Sequence, residues 1–187
     1  MAPAAHVSAD SPEDRLADKD PGSDAQTFAA FYAAEYRSVL AFAASLCRDR
    51  HAAEDLTQDA FIAAQRRWSS LRSFDRPDLW IRRVVANRSA SRWRALRGDQ
   101  RRIERLVTQR KAEHRNDAAS DEDIWQLVRQ LPARQAQVVA LTYLEDRPLA
   151  DVAAVLGIGV ETAKTHLQRG RATLARLVAA SETEEPQ

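Results

Sequence analysis

The sequence predicts an all-α protein in which two small helical domains are joined by a flexible linker. Glycine is scarce, with 5 residues in a chain of 187, and apolar residues make up 44% of it. No segment alternates β-branched and polar residues in the way that a half-buried strand does. Apolar residues instead recur every three or four positions in several separate segments, and this is the spacing of amphipathic helices.

The charged residues are distributed unevenly along the chain. The formal net charge is only +1, but residues 66–111 contain 15 basic and 4 acidic side chains. Every basic residue in that segment except Lys111 is an arginine. Arginine pairs with phosphate through two parallel hydrogen bonds and also stacks on bases. This arginine-rich segment therefore indicates a nucleic-acid partner.

Composition and motifs argue against several other classes of protein. Cys47 is the only cysteine, which excludes an intramolecular disulfide and a cysteine-rich zinc site and suits a reducing cytoplasm. The N-terminus lacks the apolar segment of a signal peptide, and no apolar run approaches the roughly 18 residues that span a membrane. The four histidines are scattered, and the sequence contains neither a phosphate-binding glycine loop nor a nucleophile elbow. We therefore expect a cytoplasmic protein without catalytic activity, cofactor, metal or membrane insertion.

Residues 1–26 differ in composition from the segment that follows them. They are rich in Ala, Asp, Ser and Pro, contain few large apolar side chains and are expected to be disordered. From Thr27 onward a long amphipathic helix is predicted, ending near Cys47. Its core-facing positions are Phe28, Phe31, Tyr32, Tyr36, Val39, Leu40, Phe42, Ala43 and Leu46.

A second helix is predicted over residues 51–68. Its inward stripe consists of Ala53, Leu56, Ala60, Phe61 and Ala64. Its outer face carries Glu54, Asp55, Gln58, Asp59 and Gln65. Considered by itself, this face is more simply a solvated surface than a docking site for a basic or mixed helix. The serines, aspartate and prolines of residues 69–77 then predict a loop.

A third helix, predicted over residues 78–96, combines arginines with tryptophan. The residues expected to face inward are Leu79, Trp80, Val84, Val85 and Ala86. The cationic residues along it are Arg82, Arg83, Arg88, Arg92 and Arg94, with Trp93 between the last two. This pattern suits a surface that stacks on bases and neutralises phosphates. Asn87 could equally cap or back-bond locally or contact a base edge.

A charged linker and two further helices follow. Residues 98–120 are polar and predict a frayed helix that runs into a linker, after which Ser120 and Asp123 resemble a capping box. The helix predicted over residues 121–130 is expected to bury Ile124, Trp125, Leu127 and Val128. In the helix predicted over residues 133–144, the residues expected to face inward are Val138, Val139, Leu141 and Leu144. Residues 181–187 form an acidic tail that is expected to fray.

Residues 148–174 have the pattern of a helix-turn-helix. The first helix is marked by Leu149, Val152, Ala153 and Leu156. Gly157 follows, where a chain leaving a helix often needs a left-handed backbone conformation. A second helix begins near Val160, turns Ala163 and Leu167 inward and leaves polar and cationic side chains outside. Such a helix enters the DNA major groove, and the alternative is an ordinary helical hairpin with a solvated outer face.

Three segments in fixed order carry a resemblance to a known family. They are AAEDLTQDAFIAAQRRW, PDLWIRRVVANRSASRWR and QLPARQAQVVALTYLEDRPLADVAAVLGIGVETAKTHLQRGRATL. Over about residues 27–177, the chain resembles bacterial RNA polymerase sigma factors of the extracytoplasmic-function (ECF, group IV) type. The resemblance implies a promoter-specificity subunit that binds core RNA polymerase, recognises −35 and −10 promoter elements and nucleates DNA melting. The alternative is a free-standing helix-turn-helix transcriptional regulator, but a dimer seam or sensor domain is not evident.

The resemblance also implies a domain organisation and a set of partners. Residues 27–97 would form a sigma-2-like domain for core polymerase and the −10 element, and residues 121–180 a sigma-4-like helix-turn-helix domain for the −35 element. Residues 98–120 would be the linker, residues 1–26 an N-terminal extension and residues 181–187 the acidic tail. The implied partners are core RNA polymerase, through its clamp and flap regions, promoter DNA and an anti-sigma factor.

Individual site residues follow from the same resemblance. The implied contacts with core polymerase are Asp55, Leu56, Gln58, Asp59 and Phe61, which reverses the simpler interpretation of that acidic face. The implied −10 contacts are Arg72, Ser73, Phe74 and Asp75 in the loop that captures a flipped base, and Asn87, Arg88, Arg92 and Trp93. The implied −35 contacts are Glu161, Thr162, Lys164, Thr165, His166 and Arg169. Departures from the family pattern are Ser91 in place of an acidic residue, Pro148 in place of a Ser-type cap and His166 in place of arginine.

Overall fold

A computed structural model describes residues 21–103 and 121–183, and every regular element within those two ranges is an α-helix. The helices are α1 (Pro21–Leu46), α2 (Arg50–Arg66), α3 (Trp68–Leu71), α4 (Pro77–Ile103), α5 (Asp121–Val128), α6 (Ala133–Tyr143), α7 (Leu149–Leu156) and α8 (Val160–Thr183). The predicted all-α class is confirmed. None of the helices in these ranges has the length and apolar character needed to cross a bilayer.

Helices α1 to α4 form a first module around aromatic and small apolar residues. Asp49 caps the N-terminus of α2, because its carboxylate accepts hydrogen bonds from the backbone N–H groups of His51 and Ala52 at 3.2 and 3.3 Å. The predicted inward stripe of α2 is confirmed, since all five of its residues are buried. Phe31 of α1 packs on Trp68, with ring centroids 5.1 Å apart.

The boundaries of this first module differ from those predicted. Helix α1 begins at Pro21, so residues 21–26, which were expected to be disordered, are helical. Helix α3 forms within the predicted loop because Trp68 and Leu71 are both buried, and this leaves residues 72–76 as the connection. Helix α4 starts on Pro77, whose missing N–H costs nothing in a first turn, and continues to Ile103, beyond the predicted end at residue 96.

Helices α5 to α8 form the second module, which contains the helix-turn-helix. Gly157 ends α7 with φ +64°, as its position in the sequence predicts. Ala153 and Ala163 are buried where α7 and α8 approach each other, also as predicted. Ile124 of α5 is 39% exposed, so the prediction that it is buried is wrong. Helix α5 stops at Val128, two residues before its predicted end.

Several predictions lie outside the described residues. These concern the disorder of residues 1–20, the linker over residues 104–120, the Ser120 cap and the last four residues of the acidic tail. Within the described part of that tail, α8 continues to Thr183.

The two modules pack directly against each other. One hydrophobic core cluster includes Phe42 and Val85 of the first module together with Val138, Val152 and Leu156 of the second. The contacts are made by α4 with α6 and α7, and by α1 with α5 and α6. The sequence predicts two small helical domains joined by a linker, and the structure adds that these two modules share a core.

Candidate nucleic-acid interface

The outer face of α8 carries most of the residues proposed for the −35 element. Exposed side chains there are Glu161, Thr162, Lys164, Thr165 and Arg169. They face solvent because Ala163 is buried and Leu167 is half-buried against the rest of the second module. His166 is only half exposed, and its ring Nδ1 is buried without a hydrogen-bond partner among the described residues. This face can therefore offer polar groups and cations to a DNA groove, and His166 contributes to it only in part.

Helix α4 presents two faces of different character. Asn87, Arg88 and Arg92 are exposed, and Trp93 is half-buried. Arg88 forms an ion pair with Asp59 of α2 at 2.6 Å, and the Arg92 guanidinium donates to the Ala52 carbonyl oxygen at 2.9 Å. These contacts hold both arginines beside α2, where their remaining N–H groups can reach phosphate.

Arg82 does not belong to this exposed face. The sequence grouped it with the surface arginines, but its side chain is only 2% exposed. Its guanidinium pairs with Glu35 of α1 at 2.7 Å and with Glu145 of the second module. A charged side chain is buried here because two carboxylates satisfy it. Burial alone would lower the pKa of Arg82, but the hydrogen bonds from its guanidinium to Glu145 and Glu35 outweigh burial and raise it.

The connection between α3 and α4 places an aromatic ring in solvent. Arg72, Ser73, Phe74 and Asp75 are all exposed, and Phe74 is 51% exposed. Backbone hydrogen bonds hold the turn, from the Ser73 N–H to the Ser70 carbonyl at 3.2 Å and from the Phe74 N–H to the Leu71 carbonyl at 3.1 Å. An exposed ring on a hydrogen-bonded turn can stack on an unpaired base.

The residues proposed to contact core polymerase divide between the surface and the core of α2. Asp55, Gln58 and Asp59 are exposed and form an acidic patch. Leu56 and Phe61 are 0% and 3% exposed, so they hold α2 in the first module and do not reach the surface. Sequence reasoning missed Ile62, which is 45% exposed and lies beside this patch in the sequence.

A second charged cluster lies between the modules. Arg147 pairs with Asp78 at 2.6 Å, and Arg76 pairs with Asp151 at 2.8 Å. Burial raises the pKa of Asp78, but hydrogen bonds from Arg76 and Arg147 outweigh it and bring the pKa down to about 2. Sequence reasoning did not find this cluster, because its members are separated by about 70 residues of chain.

A groove of about 580 Å³ also lies between the modules, at the C-terminal end of α1. Its floor is apolar and includes Leu40, Ala44, Trp125 and Leu144. Its charged lining residues are four arginines and two acidic residues, Arg37, Arg48, Arg50, Arg129, Asp49 and Glu54. Arg50 and Glu54 pair with each other at 2.9 Å, so the lining has an excess of positive charge. The Cys47 thiol borders the groove, and burial raises its pKa.

Comparison with known families matches both modules. The family model "Sigma-70 region 2" matches residues 31–98, and the model "Sigma-70, region 4" matches residues 121–174. The chain is 29% identical over 142 residues to the RNA polymerase sigma-E factor of Streptomyces coelicolor, covering 73% of this chain and 77% of that protein. It is 27% identical over 158 residues to the ECF RNA polymerase sigma factor SigM of Mycobacterium tuberculosis, covering 83% of this chain and 79% of that protein.

Solved structures share the fold. The sigma factor RpoE of Bartonella quintana, solved in complex with the anti-sigma factor NepR, matches with a TM-score of 0.68 and 22% identity, over 82% of this chain and 98% of that chain. CnrH, solved in complex with the cytosolic domain of CnrY, matches with a TM-score of 0.59 and 23% identity, over 83% of this chain and 90% of that chain. With both sigma-70 regions matched in order and ECF sigma factors among its relatives, the chain belongs to the sigma-70 family and is an RNA polymerase sigma factor of the ECF type.

Proposed function

We propose that this sigma factor binds core RNA polymerase, recognises a −35 and a −10 promoter element and nucleates melting of the DNA. The observation that carries the proposal is that one chain bears two separate exposed polar surfaces, one on α8 and one on α4 with its preceding turn. Each surface lies in the segment matched by the corresponding sigma-70 region. We assign the −10 element to the first module and the −35 element to the second.

For the −35 element, the N-terminal half of α8 would enter the major groove. Lys164 and Arg169 would contact phosphates or guanine edges through their positive charges. Thr162 and Thr165 would contact base edges or the DNA backbone through their hydroxyl groups. Thr165 already donates its hydroxyl to the Glu161 carbonyl oxygen at 2.9 Å, so its oxygen remains able to accept.

For the −10 element, α4 and its preceding turn would hold single-stranded DNA. Phe74 would stack on a base that has left the duplex, and Arg88 and Arg92 would neutralise the adjoining phosphates. Asn87, Trp93 and the exposed turn residues would complete the contact. These groups bind unpaired bases, which the closed duplex does not expose. Their binding therefore shifts the equilibrium between closed and melted DNA towards the melted form.

For the polymerase, the acidic patch of Asp55, Gln58 and Asp59 would dock on the clamp, and the second module would contact the flap. Because core polymerase is the proposed partner, we propose that the protein acts in the cytoplasm. We also propose an anti-sigma factor as a partner. The apolar floor and arginine lining of the groove between the modules fit an amphipathic helix with acidic residues.

Reconstitution with core polymerase tests the proposed function. The holoenzyme is used to select binding fragments from a randomised DNA pool, and selected fragments are probed with permanganate for unpaired thymines. We expect two conserved elements at fixed spacing in the selected DNA and reactive thymines in the downstream one, only when both proteins are present. A free-standing regulator would instead bind the DNA without polymerase and would leave the duplex closed, with no reactive thymines.

A further inference from the structure

A polar pocket of about 400 Å³ lies beside the groove between the modules. Ala41 of α1 and Leu144, which follows α6, line both cavities, and this places the pocket next to the groove. The other residues that line the pocket are polar or charged, namely Glu35, Ser38, Arg82, Glu145 and Arg147. We call this cavity the Glu145 pocket.

The Glu145 carboxylate has one oxygen with hydrogen-bond donors and one without. The side chain is 3% exposed, and its Oε2 atom accepts hydrogen bonds from the guanidinium groups of Arg82 and Arg147. The Oε1 atom is buried and has no hydrogen-bond partner among the described residues. Because leaving a buried charged acceptor without a donor is costly, the pocket favours a ligand that brings an N–H donor to this oxygen.

The charges around the pocket are not balanced. Ion pairs among the described residues connect four carboxylates with three guanidinium groups, which gives the connected group a formal net charge of −1. The carboxylates are those of Glu35, Asp78, Glu145 and Asp151, and the guanidinium groups are those of Arg76, Arg82 and Arg147. The oxygen without a donor belongs to this group, so we expect the ligand that completes it to be positively charged.

An organic cation suits the pocket better than a metal ion. Within residues 21–103 and 121–183, side chains that bind metals do not come together in groups of three or more. Arg82 and Arg147 also lie in the lining of the pocket, and their positive charges oppose a doubly charged ion at short range. An ammonium or guanidinium group has a single positive charge and reaches a carboxylate through N–H donors.

We propose that the Glu145 pocket receives a lysine or arginine side chain of the partner that occupies the groove. This inference rests on the proposed function, which places an amphipathic helix with acidic residues there. The groove follows α1 from Arg37 to Arg48, and the pocket meets this stretch at Ser38 and Ala41. Ala41 and Arg48 are two helical turns apart, or about 10 Å. A partner helix that lies along α1 therefore carries a basic residue and an acidic residue about two turns apart.

The basic side chain would give the groove a means of choosing between helices. A hydrogen bond to a buried carboxylate is stronger than one between neutral groups. A helix with an apolar residue at that position would fill the groove and leave the Oε1 atom of Glu145 without a donor. The pocket therefore discriminates among amphipathic helices that otherwise fit the groove equally well.

Selection from a displayed peptide library tests the pocket. The library consists of helices of about five turns that have a fixed apolar stripe and random residues elsewhere, and the wild-type chain is the target. We expect lysine or arginine to be enriched at one position, with acidic residues about two turns away. Norleucine at that position of a selected peptide should weaken binding about tenfold. The carbon resonance of the Glu145 carboxylate should shift with the basic peptide and stay in place with the norleucine peptide.

Two variants assign the effect to one carboxylate. Glu145→Gln should remove the advantage of the basic peptide and bind the norleucine peptide as the wild type does, which shows that the groove is intact. The matched control is Asp146→Asn, which makes the same change of a carboxylate to an amide at the next, exposed residue of the same connection. Asparagine tolerates the positive φ of 51° at this position, so the advantage should be unchanged. If Glu145→Gln binds neither peptide, the resonance in the wild type decides.

Each contrary result has a distinct meaning. If the selected helices bind the groove without a preferred basic residue, the pocket holds water only, and the proposal is overturned while the partner of the groove stands. An equal shift of the Glu145 resonance with both peptides, or loss of the advantage in Asp146→Asn, also overturns it. If no helix is selected, the proposed partner of the groove fails and this inference fails with it.

Discussion

Gly170 of α8 lies against Val139 of α6 so closely that a Cβ atom at Gly170 would be 2.9 Å from the Val139 Cγ2 atom. Both residues are buried, and the contact fixes how closely the last helix of the second module approaches α6. Because α8 also carries the proposed −35 surface, this contact sets the position of that surface on the module.

Gly170→Ala should lower the free energy of unfolding by roughly 1–3 kcal/mol, because the added methyl group overpacks the helix crossing. At an open helix position, the same change would raise it by about 1 kcal/mol. Urea unfolding measures the difference. In a Val139→Ala background, which removes the opposing methyl groups, the loss of stability should shrink or change sign. If Gly170→Ala stabilises the otherwise wild-type protein, the close contact between Gly170 and Val139 is not present.

Asp78→Asn should reduce stability at neutral pH and have little effect in acid. The folded pKa of Asp78 is about 2, below its ordinary 3.8, so its ionised form stabilises the folded state above about pH 4, and this contribution is lost as the pH falls from 4 to 2. The carboxylate is partly exposed, so we expect about 1 kcal/mol after screening. Urea unfolding of both proteins between pH 2 and pH 7 measures this. A difference in stability that does not depend on pH would show that the lost charge is not responsible.

Lys164→Ala should weaken binding to −35 DNA by a similar factor for every sequence, because an ammonium group that contacts phosphate carries little sequence information. The slope of log K against log salt should become smaller by about one. Fluorescence anisotropy over a series of salt concentrations measures both quantities. Arg176→Ala, at an exposed position further along the same helix, serves as the control. If it weakens binding as much as Lys164→Ala does, Lys164 is not a specific contact of the −35 surface.

Asp55→Ala with Asp59→Ala should weaken the complex with core polymerase, since it removes both carboxylates of the acidic patch. Quantitative pull-down with core polymerase measures the loss. A charge-matched control, Asp75→Ala with Glu161→Ala, removes two exposed acidic residues that are proposed to contact DNA and not polymerase. If both pairs behave as the wild type, the docking surface lies elsewhere.

Phe74→Ala should reduce permanganate reactivity of the promoter about 5- to 150-fold, the range that corresponds to loss of one base–aromatic stack of about 1–3 kcal/mol. Binding of the holoenzyme to the closed duplex should change little. Phe74→Tyr keeps a stacking ring and should retain melting. Unaltered melting by the alanine variant would exclude Phe74 as the residue that captures a base.

Several features could be predicted because they depend on neighbours within a few positions along the chain. The inward stripe of α2 follows from the repeat of its apolar residues, and the end of α7 follows from Gly157, whose φ of +64° favours glycine. The same local reasoning failed for Arg82. A periodic pattern treats every arginine as a surface residue, and the carboxylates that bury this one lie 47 and 63 positions away. It makes no prediction for Gly170, where the reason for glycine is a methyl group on another helix.

By itself, the sequence determined that the chain is helical, where most helices form and that two matched regions follow each other in order, because periodicity and family motifs are properties of short segments. Only the tertiary structure decided which charges are buried and that the two modules share one core. Those outcomes depend on contacts between residues that are distant along the chain, and the balance between desolvation and pairing at such contacts has no signature in local sequence.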